Sequence, residues 1–153
     1  MKNYKNEISC MLKNQKVHLK NTREVGCCII GMTLGRAENF LKNVILKKEI
    51  VPFKVYRYGI GRKSQVNQSK NISGRWPKKS AKIILSLIKN LNSIVSKNKS
   101  EDNPFYIKNI NINQAVRGRR RTFRAHGRVN SFESNPCHIR ISLTNNSTNI
   151  PKY

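Results

Sequence analysis

Acidic residues are scarce in this sequence. Its 153 residues include 31 Lys and Arg but only 7 Asp and Glu, which gives a formal net charge of +24 and a pI near 10.5. A chain with this balance repels itself, so a polyanionic partner is expected. Because the basic residues are spread along the whole chain, they favour a partner that presents phosphate on several sides. Nucleic acid is the first candidate, and an anionic membrane surface is the second.

Patterns that identify several other protein classes are also missing. No apolar run reaches 18 residues and no signal-peptide-like run begins the chain, so we expect a soluble cytosolic protein that passes through the nucleus. The cysteines form no C-x-x-C pair, which disfavours a zinc ribbon, and we predict that they are reduced. The sequence also has no paired carboxylates and no phosphate-cradling glycine loop. We therefore predict no cofactor, no metal and no catalytic residue.

Two other functions are possible alternatives to a structural nucleic-acid-binding protein: an enzyme and a free DNA-binding regulator. Cys137 and His138 could be the nucleophile and base of an enzyme, but adjacent residues on a strand point to opposite faces and are badly placed to cooperate. A free DNA-binding regulator would need a recognition helix with outward polar side chains, or a dimer. The most basic stretch here is predicted to lie in a hairpin and the best helix is largely apolar, which disfavours the regulator as well.

The residues between 117 and 140 carry the densest charge. Six arginines fall within the twelve residues 117–128, and the only acidic residue between 117 and 140 is Glu133. No core could bury so many guanidinium groups, so the stretch must lie in solvent or against a polyanion. Arginine suits phosphate because its planar fork matches phosphate oxygens. Gly118 and Gly127 would permit close approach or a turn, while Phe123 and Phe132 could stack on unpaired bases.

Two predicted strands bracket these arginines. Residues 137–144 alternate apolar and polar cleanly, whereas residues 105–114 alternate with a slip between Ile107 and Ile110 that indicates a bulge. The arginine stretch is therefore predicted to be the far end of a long β-hairpin over about 105–144. Each arm would reach about 40 Å. The tip should be mobile alone and ordered by its partner.

Three helices are predicted upstream of the hairpin, over 22–30, 33–48 and 77–97. The first would begin with a capping box at Asn21 and Glu24, with its cysteines inward, and would end at Gly31. Thr33 is the predicted cap of the second. The third has the longest apolar stripe and is the predicted core helix. The remaining segments are a basic N-terminal arm over 1–16, followed by a short strand near 17–19, and an irregular basic loop over 51–76.

Four sequence blocks resemble a known family. VHLKNTRE at 17–24, GRWPKKSA at 74–81, RRRTFRAHGR at 119–128 and NPCHI at 135–139 closely resemble the universal large-subunit ribosomal protein family twenty-two, in its eukaryotic-archaeal form. The similarity covers about 17–144. The family implies a single α+β domain in which three helices pack on a small antiparallel β-sheet and a long β-hairpin extends away. It also implies a structural, non-enzymatic role in the large ribosomal subunit, in subunit assembly and in translation.

The resemblance also implies partners and site residues. The partners would be large-subunit ribosomal RNA, neighbouring large-subunit proteins and the nascent polypeptide in the exit tunnel, with no membrane. The localisation would be the cytoplasmic ribosome, with nucleolar passage during assembly. Val116 and Ser131 stand where family members usually carry proline, so the hairpin should be less rigid alone. His126 could contact the tunnel wall or simply face solvent. The residues expected to face RNA or the tunnel are Arg117, Arg119, Arg120, Arg121, Arg124, His126, Gly127 and Arg128, and those expected to add RNA contacts are Arg57, Arg62, Lys63, Arg75, Trp76, Lys78 and Lys79.

Overall fold

A computed structural model of the chain describes residues 8–66, 72–97 and 104–145. Within these ranges the chain forms three α-helices and seven β-strands, in the α+β arrangement that the sequence predicted. In chain order the elements are β1 (Ile8–Gln15), α1 (Leu19–Ile29), α2 (Leu34–Ile45), β2 (Val51–Pro52), β3 (Gly74–Arg75), α3 (Lys78–Lys97), β4 (Tyr106–Gln114), β5 (Gly118–Phe123), β6 (Val129–Ser134) and β7 (Cys137–Thr144).

Strand β7 lies at the centre of the main sheet. The sheet has the order β1-β7-β4, and β7 runs antiparallel to both neighbours. Its alternation is the one that the sequence predicted: Cys137, Ile139, Ile141 and Leu143 are fully buried, while Arg140 is exposed. A shift of one residue would bring the polar set into the core, so the hydrophobic pattern fixes the register on both sides.

The helices cover the apolar face of this sheet. Helix α3 is the predicted core helix, and its buried residues recur at three- and four-residue steps over Ala81, Ile84, Leu87, Ile88 and Leu91. Helix α1 packs closely on β4 at Gly26. A Cβ added to this glycine would lie only 3.0 Å from Ile112 Cδ1, so a larger residue would not fit without a shift. Together the helices and strands enclose one hydrophobic cluster.

The start of α1 differs from the prediction. The helix begins at Leu19 rather than Thr22, and His18 precedes it in an extended conformation. Asn21 is therefore not a cap. The Thr22 hydroxyl bonds to the His18 carbonyl oxygen and to Ser80 Oγ on α3, at 2.8 and 3.0 Å. A contact 58 residues away in sequence thus anchors this turn, and local capping signals could not reveal it.

Two of the other predicted element bounds differ from the structure, and the bulge in β4 and the end of α1 agree with it. The predicted strand near 17–19 is wrong, because β1 lies earlier over Ile8–Gln15 and pairs with β7; residues 1–7 of the predicted arm lie outside the described ranges. The predicted bulge in β4 is confirmed as a register shift between Ile107 and Asn109. Gly31 has φ 84°, as a helix-ending residue should. The Thr33 side chain accepts from the Arg36 N–H and caps α2, which ends at Ile45 instead of the predicted 48.

We expect substitutions in β7 to test the core directly. Ile141→Ala should lower the free energy of unfolding by about 2–5 kcal/mol, because it leaves a cavity beneath the helices. Met11→Ala on neighbouring β1 is the matched control, since Met11 is half-exposed, and it should cost less than about 1 kcal/mol. Chemical denaturation monitored by circular dichroism measures both. Equal losses for the two variants would contradict the central position of β7.

Candidate nucleic-acid interface

The arginine stretch forms an antiparallel strand pair at the far end of the β4 and β7 ladder. β5 pairs with β6 from Gly118 opposite Ser134 to Phe123 opposite Val129. This pair is nested between β4 and β7, and the Ala115 N–H donates to the Pro136 carbonyl oxygen at 2.9 Å where the two ladders meet. The tip therefore has a regular backbone, and its side chains alternate between two faces.

A tight turn closes the tip. His126 and Gly127 have φ of 58° and 68°, the left-handed region that favours glycine. The Arg124 N–H donates to the Arg128 carbonyl oxygen at 2.8 Å, which closes the loop. The His126 side chain is exposed at the end of this turn, and Gly127 supplies the positive φ that the sequence suggested for it.

Most of the positive charge on the tip is not neutralised by the protein. Glu133 lies 3.2 Å from Arg119 Nε and 3.8 Å from Arg117 Nη1, so it partly compensates two guanidinium groups. These pairs are exposed and stabilise the tip by at most about 1 kcal/mol. Within the described parts of the chain, no carboxylate pairs with the other tip arginines, which are Arg120, Arg121, Arg124 and Arg128.

Each face of the tip carries one exposed phenylalanine. Phe123 shares a face with Arg119 and Arg121, and it is 79% exposed. Phe132 lies directly opposite Arg120 on the other face, and it is 61% exposed. Each face therefore offers at least one guanidinium group beside an exposed ring, which is the combination that binds phosphate and unpaired bases together.

A buried carboxylate holds the second basic segment in place. Glu24 on α1 is only 1% exposed, and its oxygens accept the backbone N–H groups of Lys54, Val55 and Tyr56 at 2.9, 3.0 and 2.7 Å. Three charge-assisted bonds compensate for removing this carboxylate from water. The predicted role of Glu24 in a capping box is therefore wrong. The only signal was an isolated acid in a basic chain.

The segment that Glu24 anchors exposes basic and aromatic groups. Tyr56 packs partly against the core, with the Lys20 ammonium 5.6 Å from its ring centroid. Tyr58 is 85% exposed, with the Arg57 guanidinium 5.6 Å from its ring. Tyr56 therefore packs against the protein, whereas the ring of Tyr58 is available to a partner.

Trp76 is held by the protein itself. Its indole Nε1 donates to Gln65 Oε1 at 3.0 Å, and the Gln65 amide donates to the carbonyl oxygens of Lys47 and Lys48, which follow α2. The ammonium groups of Lys47 and Lys63 lie 5.9 and 6.0 Å from the ring centroid. Trp76 is thus linked through Gln65 to the segment after α2, and two positive charges lie beside its ring. The sequence did not reveal this structural role.

The remaining predicted residues lie around the starts of β3 and α3. Gly74–Arg75 pairs with Val51–Pro52 in a two-stranded sheet, and Arg62 forms an isolated bridge with Ser73. The side chains that are exposed here are those of Arg62, Arg75, Lys78 and Lys79. Lys78 and Lys79 lie across a cleft from Phe132 and Glu133 of β6, so this part of the basic area faces the hairpin.

Three of the four cysteines are partly or fully buried, and Cys27 is exposed. All four thiols are free, and burial raises the pKa of Cys28 to about 12. Contrary to prediction, Cys27 faces outward. Cys137 is buried and donates to the Val17 carbonyl oxygen at 3.1 Å, whereas His138 accepts the Asn14 N–H on the other face of the sheet. This arrangement excludes a Cys137–His138 catalytic pair.

Comparison with known proteins gives the family. Residues 10–144 match the family model described as ribosomal protein L22p/L17e. The chain belongs to this family. A protein of the tick Ixodes scapularis named "large ribosomal subunit protein uL22" is 47% identical over 131 residues, which cover 86% of this chain and 71% of the tick protein. The mosquito Anopheles gambiae has a protein of the same name, 46% identical over 139 residues, which cover 91% and 74%.

Membership of the L22p/L17e family agrees with the resemblance of the four sequence blocks. The relatives are of the eukaryotic type that the blocks indicated, and as a ribosomal protein of this family the chain is not an enzyme. In the described ranges, no three His, Cys, Asp or Glu side chains gather where they could hold a metal ion. Over those same residues, no helix has the length and apolarity needed to cross a membrane.

Glu24 offers a test of how the segment 54–58 is positioned. Glu24→Ala would leave three backbone donors without their acceptor and should lower the free energy of unfolding by more than about 2 kcal/mol. Hydrogen exchange at the amides of Lys54, Val55 and Tyr56 should accelerate. Glu38→Gln is the control, because Glu38 pairs with Lys42 at the surface at 2.8 Å and its loss should cost less than about 1 kcal/mol. Unchanged exchange at 54–56 would exclude the anchoring role.

Proposed function

We propose that this chain is a structural constituent of the large ribosomal subunit that binds large-subunit ribosomal RNA through its hairpin tip and its basic loop. The tip then lines the nascent-polypeptide exit tunnel, and the globular part meets neighbouring large-subunit proteins. The protein supports subunit assembly and translation on cytoplasmic ribosomes, after nucleolar passage. The single observation that carries the proposal is the exposed, largely uncompensated arginine cluster at the end of a paired hairpin.

The physical basis is the difference between the two ends of the hairpin. The β4 and β7 end is fixed by apolar burial, whereas the β5 and β6 end has no core of its own to stabilise it. Phosphates would compensate the guanidinium charges, and counterion release would drive binding. Specificity would come from RNA shape, since A-form grooves offer little base readout. With 6–10 phosphate contacts, affinity would fall by about 10³–10⁵ between 50 and 200 mM salt.

The salt dependence of binding tests the role of the tip. Replacing its four uncompensated arginines by glutamine should reduce the slope of log K against log salt by about 3, because each lost phosphate contact contributes about 0.7–0.9. Thermal unfolding should be nearly unchanged, since these side chains are exposed. The measurement is filter binding to transcribed large-subunit RNA. The substitutions are Arg120→Gln, Arg121→Gln, Arg124→Gln and Arg128→Gln.

A control with the same loss of charge separates specific contacts from net charge. Four exposed lysines on α2 and α3 are replaced together, and the slope should then change by less than about 1. Equal slopes for the two quadruple variants would refute the tip as the main RNA contact. Wild-type protein that stays in light gradient fractions, away from the large subunit, would refute the function itself. The control substitutions are Lys42→Gln, Lys82→Gln, Lys89→Gln and Lys97→Gln.

Photo-crosslinking tests the position in the tunnel. A photoreactive residue placed at His126, at the end of the turn, should crosslink to a radiolabelled nascent chain on stalled ribosomes. The same residue at Tyr58, on the anchored loop, should crosslink to RNA or protein of the subunit but not to the nascent chain. Nascent-chain products of equal yield from both positions, or from neither, would contradict the tunnel assignment.

A further inference from the structure

A cleft of about 550 Å³ lies between residues 132–136 of the hairpin and the helical part of the molecule. Its first wall is the end of β6 and the turn that follows, from Phe132 to Pro136. Its second wall consists of residues 16–18 and 77–80, together with Asn21. The volume falls within the range of about 300–1,000 Å³ that is typical of sites for small organic groups.

Hydrogen bonds fix the second wall before any ligand arrives. Thr22 Oγ1 donates to the His18 carbonyl oxygen and lies 3.0 Å from Ser80 Oγ, so the first turns of α1 and α3 are tied together. The buried Cys137 thiol donates to the Val17 carbonyl oxygen at 3.1 Å, which ties the same wall to β7. The cleft is thus preorganised, which lowers the entropy cost of binding.

The cleft is positively charged. Lys16, Lys78 and Lys79 line it and are exposed. Among the described residues that line it, the one carboxylate is Glu133, which two arginines already engage, with Arg119 Nε at 3.2 Å. Lys78 and Lys79 do not stabilise their own helix, because positive charge in a first turn opposes the helix dipole. An anionic ligand would account for both lysines.

Phe132 supplies a second kind of contact in the same cleft. Its ring lines the cleft and is 61% exposed, on a strand that is otherwise polar apart from Val129. Arg120 lies opposite it on the same face of the hairpin. An exposed ring beside several cations matches a nucleotide, which has both a flat base and a phosphate, better than it matches an acidic peptide.

We propose that this cleft holds an unpaired nucleotide of the large-subunit RNA, with its base stacked on Phe132 and its flanking phosphates on Lys78 and Lys79. The inference rests on the proposed function and adds one defined contact to it. The nucleotide would bridge the hairpin and the helical part, so it would fix the angle at which the hairpin leaves the sheet.

Two phenylalanine variants test the stacking contact. Phe132→Leu should weaken filter binding to transcribed large-subunit RNA by about fivefold or more, because base–aromatic stacking is worth about 1–3 kcal/mol. Phe132→Tyr keeps a ring and should restore affinity. Met11→Ala removes an exposed apolar side chain on β1, outside the tip and the cleft, and is the control; it should leave the affinity unchanged. Wild-type affinity for Phe132→Leu would overturn the proposal, as would an equal loss for Phe132→Leu and Phe132→Tyr.

Two lysine pairs test the phosphate contacts. The double variant Lys78→Gln/Lys79→Gln should reduce the salt slope by about 1.4–1.8, whereas Lys82→Gln/Lys89→Gln, further along the same helix, should change it by less than half as much. If wild type binds the RNA and loses affinity only when the tip arginines are replaced, the cleft proposal fails while the proposed function stands. Normal binding to free RNA with poor incorporation into the subunit would assign the cleft to a neighbouring protein, and would also overturn the proposal.

Discussion

The pairing of β7 on both of its edges is the constraint on which the structure depends. One strand of eight residues sets the register of β1 and β4, and its inward side chains form the floor under the helices. Because side chains on a strand alternate, the same eight residues also fix which face meets solvent. The β5 and β6 tip begins where the β4 and β7 ladder ends, so its position also depends on this pairing.

The hairpin therefore has two ends with opposite physical requirements. Burial stabilises the β4 and β7 end at roughly 25 cal/mol per Å² of apolar surface removed from water. The arginines of the tip cannot be buried, because an unpaired guanidinium in the core would cost several kcal/mol. The chain thus joins a folded part, which burial stabilises, to a cationic extension whose charge a polyanion would compensate.

The few acidic residues are used to organise the basic surface. Glu24 fixes the segment at 54–56, Glu49 forms a bidentate pair with Arg36, and Glu133 compensates part of the tip. Glu38 pairs with a lysine one turn along α2, and that contact lowers its pKa. Every carboxylate in the described ranges is thus engaged by a donor, which leaves the outward charge almost entirely positive and suited to phosphate.

Sequence patterns predict the fold class, the core helix, the alternation of β7, the bulge in β4 and the family, because these depend on local periodicity and on long matching blocks. The start of α1, the role of Glu24 and the contacts of Trp76 are visible only in the folded protein. Each of those depends on hydrogen bonds between residues distant in sequence: 58 positions for Thr22 and Ser80, and about 30 for Glu24 and its loop. Local sequence patterns do not predict such partners, since any donor that folding brings near can satisfy a buried oxygen.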